Sequence, residues 1–97
     1  MKVDMVNGWA KTETPGIGII VLNKHEDGRL KTALFRVEPG VSTDMHSHNV
    51  EEEVYVLEGD MREVGCIYLA GDYAIRKPNE LHSISSLSGY TALVVYR

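Results

Sequence analysis

The sequence predicts an all-β fold, a sandwich or a barrel. Three observations carry that prediction. Turn signals recur about every 8–20 residues, as in sandwiches and barrels. The segments between them are short, apolar and rich in β-branched residues, as in Ile17 to Asn23 and Tyr90 to Tyr96. No segment carries convincing helical patterning.

Taken in order, Asn7 to Gly16 is extended and glycine-bearing, and is expected to form an arm packed on the barrel or on a partner. Ile17 to Asn23 is the first strand. Asp27-Gly28 favours a hairpin turn, and Lys31 to Val37 returns, with Ala33, Phe35 and Val37 on one face. Glu38-Pro39-Gly40 suits a type II turn, with Pro at the first central position and Gly at the second. Asn49-Val50-Glu51 is short and partly polar, suited to reversing the chain. Glu52 to Leu57 is a strand with Glu52, Val54 and Val56 on one face and Glu53, Tyr55 and Leu57 on the other. Both faces carry bulk, so this strand is expected to be covered on both sides. Glu58-Gly59-Asp60 and Gly71-Asp72 read as turns, and Met61 to Ala70 between them as mixed strand and loop. Tyr90 to Tyr96 closes the chain as a nearly continuous apolar strand, more than one sheet of a monomer needs, from which a homodimer is expected.

The 97 residues fit one domain near the small end for independent folding. A hydrophobic content of 43% is ordinary for a globular protein. The net charge of −4 and the lack of a basic block argue against a nucleic-acid partner. No run approaches the ~20 apolar residues of a membrane helix, and Met1 to Asp4 lacks the apolar stretch of a signal peptide. One cysteine, Cys66, permits no disulfide within the chain and fits a reducing compartment. The expected location is the cytoplasm. Cys66 lies in an apolar segment and is expected to be a small buried hydrophobe.

Chemistry is specified in one place. The chain reads Gly40, five residues, His46-Ser47-His48, three residues, Glu52, six residues, Gly59, with His82 further on. Side chains two apart on a strand share a face, so His46 and His48 present two imidazoles to one point. On a helix they would stand about 200° apart. Glu52 begins the returning strand and His82 arrives from another. Three imidazoles and a carboxylate suit a transition metal rather than a thiolate-rich structural zinc site. Alone, a His-x-His pair fits a strand surface, and Glu52 within Glu51-Glu52-Glu53 fits a solvated face. The combination with both glycines is what specifies the site. His25 sits in a turn and is expected to be solvent-exposed, not a ligand. No phosphate-binding Gly-x4-Gly-Lys loop, Cys-x2-Cys pair or His-Glu-x2-His helix is present, and Gly16-Ile17-Gly18 is too short for a dinucleotide fingerprint.

The run from Gly40 through Glu52 to Gly59 resembles the first motif of the cupins. A second cupin motif, Gly-x5-Pro-x-Gly-x2-His-x3-Asn, starts at Gly71 and places His82 as its histidine. Lys77 stands for the Pro, Asn79 for the Gly and Ser86 for the Asn. Asn tolerates the left-handed conformation of a turn glycine, and Pro78 still stiffens the turn. Trp9, Thr14-Pro15-Gly16, the stretch from Leu34-Phe35-Arg36 to Pro39-Gly40, Val56 to Gly59 and Ala70 to Tyr73 are similar to the ChrR-like cupins, a subfamily of anti-sigma factor domains and small diketone dioxygenases. The resemblance implies a single cupin jelly-roll β-barrel or sandwich over 1–97, with an N-terminal arm at about 1–16 and the barrel at about 17–97. It implies one divalent transition metal ion (Fe, Zn, Mn, Ni or Cu) on His46, His48, Glu52 and His82. Where that group commonly has Pro two residues before the first histidine, this chain has Asp44. Arg36, Asp44, Tyr73 and Arg76 flank the motifs as candidates to support the site.

On an octahedral ion, four protein ligands leave two positions, for a substrate oxygen and for dioxygen or water. That implies an oxygenase, or a related lyase or isomerase, on a small oxygenated organic substrate, and this reading ranks first. On zinc the same four donors can close a tetrahedron, which implies a sensor like the anti-sigma cupin domain. Such regulators carry a separate helical region that binds their partner, and this sequence has none. A cupin that binds a small ligand without reacting it is a third reading.

Overall fold

A computed structural model describes residues 1–97. It has seven strands and no helix: β1 (Ala10–Lys11), β2 (Ile17–Lys24), β3 (Leu30–Val37), β4 (Glu52–Glu63), β5 (Cys66–Leu69), β6 (Tyr73–Arg76) and β7 (Tyr90–Tyr96). Every pairing is antiparallel, in the order β1-β2-β3-β7-β4-β5, with β6 also on β4. The all-β expectation holds. The hydrogen-bonded path runs from β1 to β5 without closing, so the sheet is open where a closed barrel was one expectation. The stretches 40–46 and 82–86, outside the named strands, are joined by isolated bridges, Ser42 to Ser85 and His46 to His82, and by further backbone hydrogen bonds such as Thr43 N–H to the Ile84 carbonyl at 2.9 Å.

The expected turns at Gly28, Gly40 and Gly71 are present. At Gly40, φ is +82° and the Val41 amide donates to the Glu38 carbonyl at 3.3 Å, which is the expected Pro-Gly turn. Glu58-Gly59-Asp60 does not turn. β4 runs through it to Glu63, with a bulge between Val56 and Glu58. Gly59 has φ +82°, and a Cβ there would lie 1.9 Å from the Gly89 carbonyl oxygen. The glycine therefore serves close backbone approach within a strand, a role that composition does not separate from a turn.

The bulge also changes which residues point inward. Before it, Glu52, Val54 and Val56 are buried; after it, Met61 is buried and Glu63 reaches the interior. Cross-strand registers align the inner face into rows: Val37 beside Tyr90, Phe35 beside Ala92 and Val56, Ala33 beside Val94 and Val54, and Tyr96 beside Glu52 and Arg76. The first three rows form the apolar core. The last row is polar, with Glu52 and Arg76 buried. The expectation that β4 is covered on both sides is corrected, because Tyr55 and Leu57 on its outer face are 44% and 40% exposed. Cys66 is exposed rather than buried. Its apolar neighbours Ile67 and Leu69 are exposed as well, on a short strand outside the core.

Candidate metal centre

Each histidine is delivered by backbone pairing. His46 and His82 face each other across an antiparallel bridge, exchanging N–H···O bonds of 2.9 Å. The His48 carbonyl accepts the Asn79 amide at 2.6 Å, tying the first motif to the second. Asn79 has φ +65°, so it takes the left-handed conformation expected of the glycine it replaces. The His46 and His82 rings stand 4.3 Å apart between centroids, and His48 lies 5.4 Å and 5.6 Å from them.

The ring orientations are set as well. His46 Nδ1 lies 2.8 Å from the Asp44 carbonyl oxygen, and His82 Nδ1 lies 3.2 Å from that of Glu80. A carbonyl can only accept, so each Nδ1 carries its proton and each Nε2 is left as a lone-pair donor. The nitrogens of His46, His48 and His82 come within 4.8 Å of one another, a spacing that positions three histidines to hold a metal ion. Burial, with the Arg76 cation nearby as a second cause, pushes the His82 pKa down to about 4, which keeps that imidazole neutral and able to ligate near neutral pH.

Glu52 meets the cluster from β4. Its Oε2 lies 3.3 Å from His48 Nε2 and 3.8 Å from His82 Nε2. It is buried and has no hydrogen-bond partner. Its other oxygen, Oε1, accepts from Arg76 Nη1 at 3.3 Å, and Arg76 Nη2 donates to Glu63 Oε1. Arg76 is 4% exposed and Glu52 is buried, while Glu63 is half-buried, so the chain of three charges runs outward from the site.

The other flanking candidates divide. Asp44 lines the cavity and serves the site through its carbonyl. Arg36 is directed away, stacking over Trp9 at 4.6 Å. Tyr73 donates from the outer face to Glu53. His25 is half-buried rather than exposed, its Nε2 at 3.0 Å from the Tyr96 carbonyl, and it takes no part in the cluster. Ser86, at the expected Asn of the second motif, is fully buried and donates to the Asp60 carbonyl at 2.6 Å. Asp60 in turn accepts from the Leu87 and Ser88 amides at 3.0 and 2.8 Å and from Arg62 at 2.7 Å, fixing the loop that follows His82.

The cluster opens onto a cavity of about 720 Å³. Phe35, Val54, Met61, Ile84 and Val94 form its apolar wall, Tyr90 and Tyr96 add phenols, and Thr12 to Thr14 of the arm reach its rim. Burial pushes the Tyr90 pKa up to about 12 and raises that of Tyr96, so both are hydrogen-bond donors near neutral pH. The Tyr96 ring packs edge-on against His48, with centroids 5.4 Å apart. Sequence reasoning missed Tyr90, Tyr96 and Glu63. The tyrosines share strand parity with Val94, a signal that was present; Glu63 was hidden by the parity change at the bulge.

The comparisons agree with this architecture. None of the curated sequences compared with the chain matches it. Among solved structures, the polyketide cyclase RemF from Streptomyces resistomycificus is similar at 26% identity and a TM-score of 0.81, over 99% of this chain and 78% of that one. An acetylacetone dioxygenase from Acinetobacter johnsonii is 19% identical with a TM-score of 0.83, over 99% and 72%. The Rhodobacter sphaeroides complex of SigE with the anti-sigma ChrR is 22% identical with a TM-score of 0.77, over 92% of this chain and 49% of that one. This chain thus spans about half the length of the matched chain in that complex. The last two identities show the fold alone. No helix is long and apolar enough to cross a membrane, which leaves membrane β-barrels unaddressed. The family described as the ChrR Cupin-like domain matches residues 4–97, and the chain belongs to that family.

Proposed function

We propose that His46, His48, Glu52 and His82 hold one divalent transition metal ion, and that the chain is a metal-dependent, Fe(II)-type oxygenase, or a related lyase or isomerase, acting on a small oxygenated organic substrate. The donor set supports the ion. Ligand atoms about 2.0–2.2 Å from one metal lie about 3–3.5 Å apart when adjacent, close to the 3.3 and 3.8 Å that separate Glu52 Oε2 from two imidazoles. A buried carboxylate oxygen without a hydrogen-bond partner is otherwise costly.

The cavity carries the catalytic reading. A site that only holds its ion has no need of about 720 Å³ of space opening onto the ligands. When bound, the ion supplies Lewis acidity and a template for substrate oxygens. The residues do the rest: Phe35, Val54 and Val94 exclude water, and the protonated phenols of Tyr90 and Tyr96 orient acceptor oxygens of the substrate. Similarity to the polyketide cyclase agrees with an oxygenated organic substrate.

The alternative is a non-catalytic zinc-binding sensor or ligand-binding cupin resembling the anti-sigma domain, favoured by a donor set that can close a tetrahedron. Metal analysis of protein purified anaerobically without chelators decides between them. Stoichiometric iron, with oxygen uptake on adding β-dicarbonyl or catechol-like compounds, supports the oxygenase. Tightly held zinc, inert to oxygen and to added ligands, supports the sensor.

We further propose one cupin domain over 1–97 working in the cytoplasm as a homodimer, without nucleic acid or membrane as partner. Tyr55, Leu57, Tyr73 and Ile75, exposed together on the outer face of β4 and β6, support the dimer. Light scattering giving a clean monomer would remove it.

A further inference from the structure

Glu52 is the one carboxylate shared between the histidine cluster and a buried arginine. Oε1 is taken by Arg76, leaving Oε2 directed at His48 and His82. Arg76 has a second counter-charge in Glu63, which arrives from beyond the bulge in β4 and touches none of the histidines. A buried guanidinium must be paired, and the more fully it is paired elsewhere the less it draws on any one carboxylate. With Glu63 present, Nη2 is paired there and Nη1 takes one oxygen of Glu52, while the buried Nε has no partner. Without Glu63, Glu52 is the only carboxylate left on the guanidinium, and bidentate pairing would draw Oε2 away from the imidazoles.

We propose that Glu63, acting through Arg76, is a positioning residue that holds Glu52 available as a metal ligand and so sets the site between three-histidine and three-histidine-one-carboxylate coordination. This rests on the four-ligand reading above. It assigns a role to a residue outside both cupin-like motifs of the sequence, about 13 residues from its partner.

The test titrates cobalt(II) into the chelator-stripped full chain, reading the dissociation constant and the visible absorption spectrum. The unfolding midpoint of each apo form is read in parallel. E63Q is expected to weaken cobalt binding by about tenfold or more, the scale of an outer ligand-supporting partner, and to change the spectrum as the carboxylate leaves the ion. E63D, which keeps the charge, should bind nearer to the parent. Removing the guanidinium as well, in E63Q/R76M, should restore much of the affinity. In an E52Q background, E63Q should add nothing. E63Q matching the parent in both readouts overturns the proposal. So does a loss that follows falling apo stability across E63Q and E63Q/R76M with no rescue, which would make Glu63 structural. A parent chain that takes up no cobalt, or E52Q binding as well as the parent, overturns instead the four-ligand reading beneath it, and the proposal with it.

Discussion

Glu52 and Glu53 are adjacent, identical in chemistry and on the same strand, yet they lie in different worlds. Glu52 is 6% exposed, meets the imidazoles of His48 and His82 and shares a buried arginine. Glu53 turns to the outer face, where the Tyr73 hydroxyl donates to it and Arg97 pairs with it. Those partners lower the Glu53 pKa, Tyr73 first. The rest of the strand follows suit: Val54 and Val56 are core, while Tyr55 and Leu57 remain exposed. The pleat sends Glu52 into the site and Glu53 to the outer face, while Glu51 precedes the strand. Composition and local charge are nearly the same for all three.

The sharpest way to break this comparison is to exchange each glutamate for its amide. Glu52→Gln is expected to weaken cobalt or zinc binding by about a hundredfold, the upper end of the range for an outer partner and more than the loss expected of E63Q. Glu53→Gln should leave it unchanged. Equal losses measured by titration calorimetry would mean that the two faces are not functionally distinct.

The same contrast holds for packing. Met61→Ala, on the inner face, should cost about 2 kcal/mol, the low end for such truncations because the void joins an existing cavity. Leu57→Ala, on the outer face, should stay within about 0.5 kcal/mol. Denaturant unfolding of the two apo variants reads the difference.

Acid stability sharpens it further. Ser88, the Leu87 amide and Arg62 hold the Asp60 carboxyl well below the usual carboxylate range. A depressed folded pKa contributes stability that is present above the unfolded value of about 3.9 and is lost as pH falls from there toward the folded value. Asp60→Asn should therefore flatten the decline of the thermal midpoint below about pH 4, at the cost of a lower midpoint at pH 7. A parallel decline in parent and variant would assign the acid sensitivity elsewhere. The smallest effect belongs to Tyr73→Phe. Removing that exposed bond to Glu53 should leave the thermal midpoint nearly unchanged and metal affinity by titration calorimetry untouched.

Much of this was legible because periodicity and turn chemistry are local. Strand alternation grouped Glu52 with Val54 and Val56, and the motif spacing nominated His46, His48 and His82, although His46 and His82 sit on an isolated bridge and His48 in irregular chain rather than on the strands expected of them. The β2–β3 hairpin and the Pro39-Gly40 turn follow from their residues alone. What escaped depends on contacts distant in sequence. Gly59 reads as a turn because the backbone of Gly89 and Tyr90 that presses on it comes from another strand. The bulge beside it reverses strand parity, so Glu63 could not be placed on the inner face from its position. Arg76 was a candidate among four equals until the β4–β6 register set it opposite Glu52. Cys66 and the outer residues of β4 looked buried because apolar character was read as coverage, and nothing in one chain covers them.

X-ray absorption of the metal-loaded chain tests the central claim most directly. The prediction is a first shell with three imidazoles, seen in the outer-ring scattering, and one carboxylate oxygen, all at about 2.0–2.2 Å, with one imidazole lost in His46→Ala. An ion bound with fewer than two imidazoles, or a shell unchanged in His46→Ala, would contradict it.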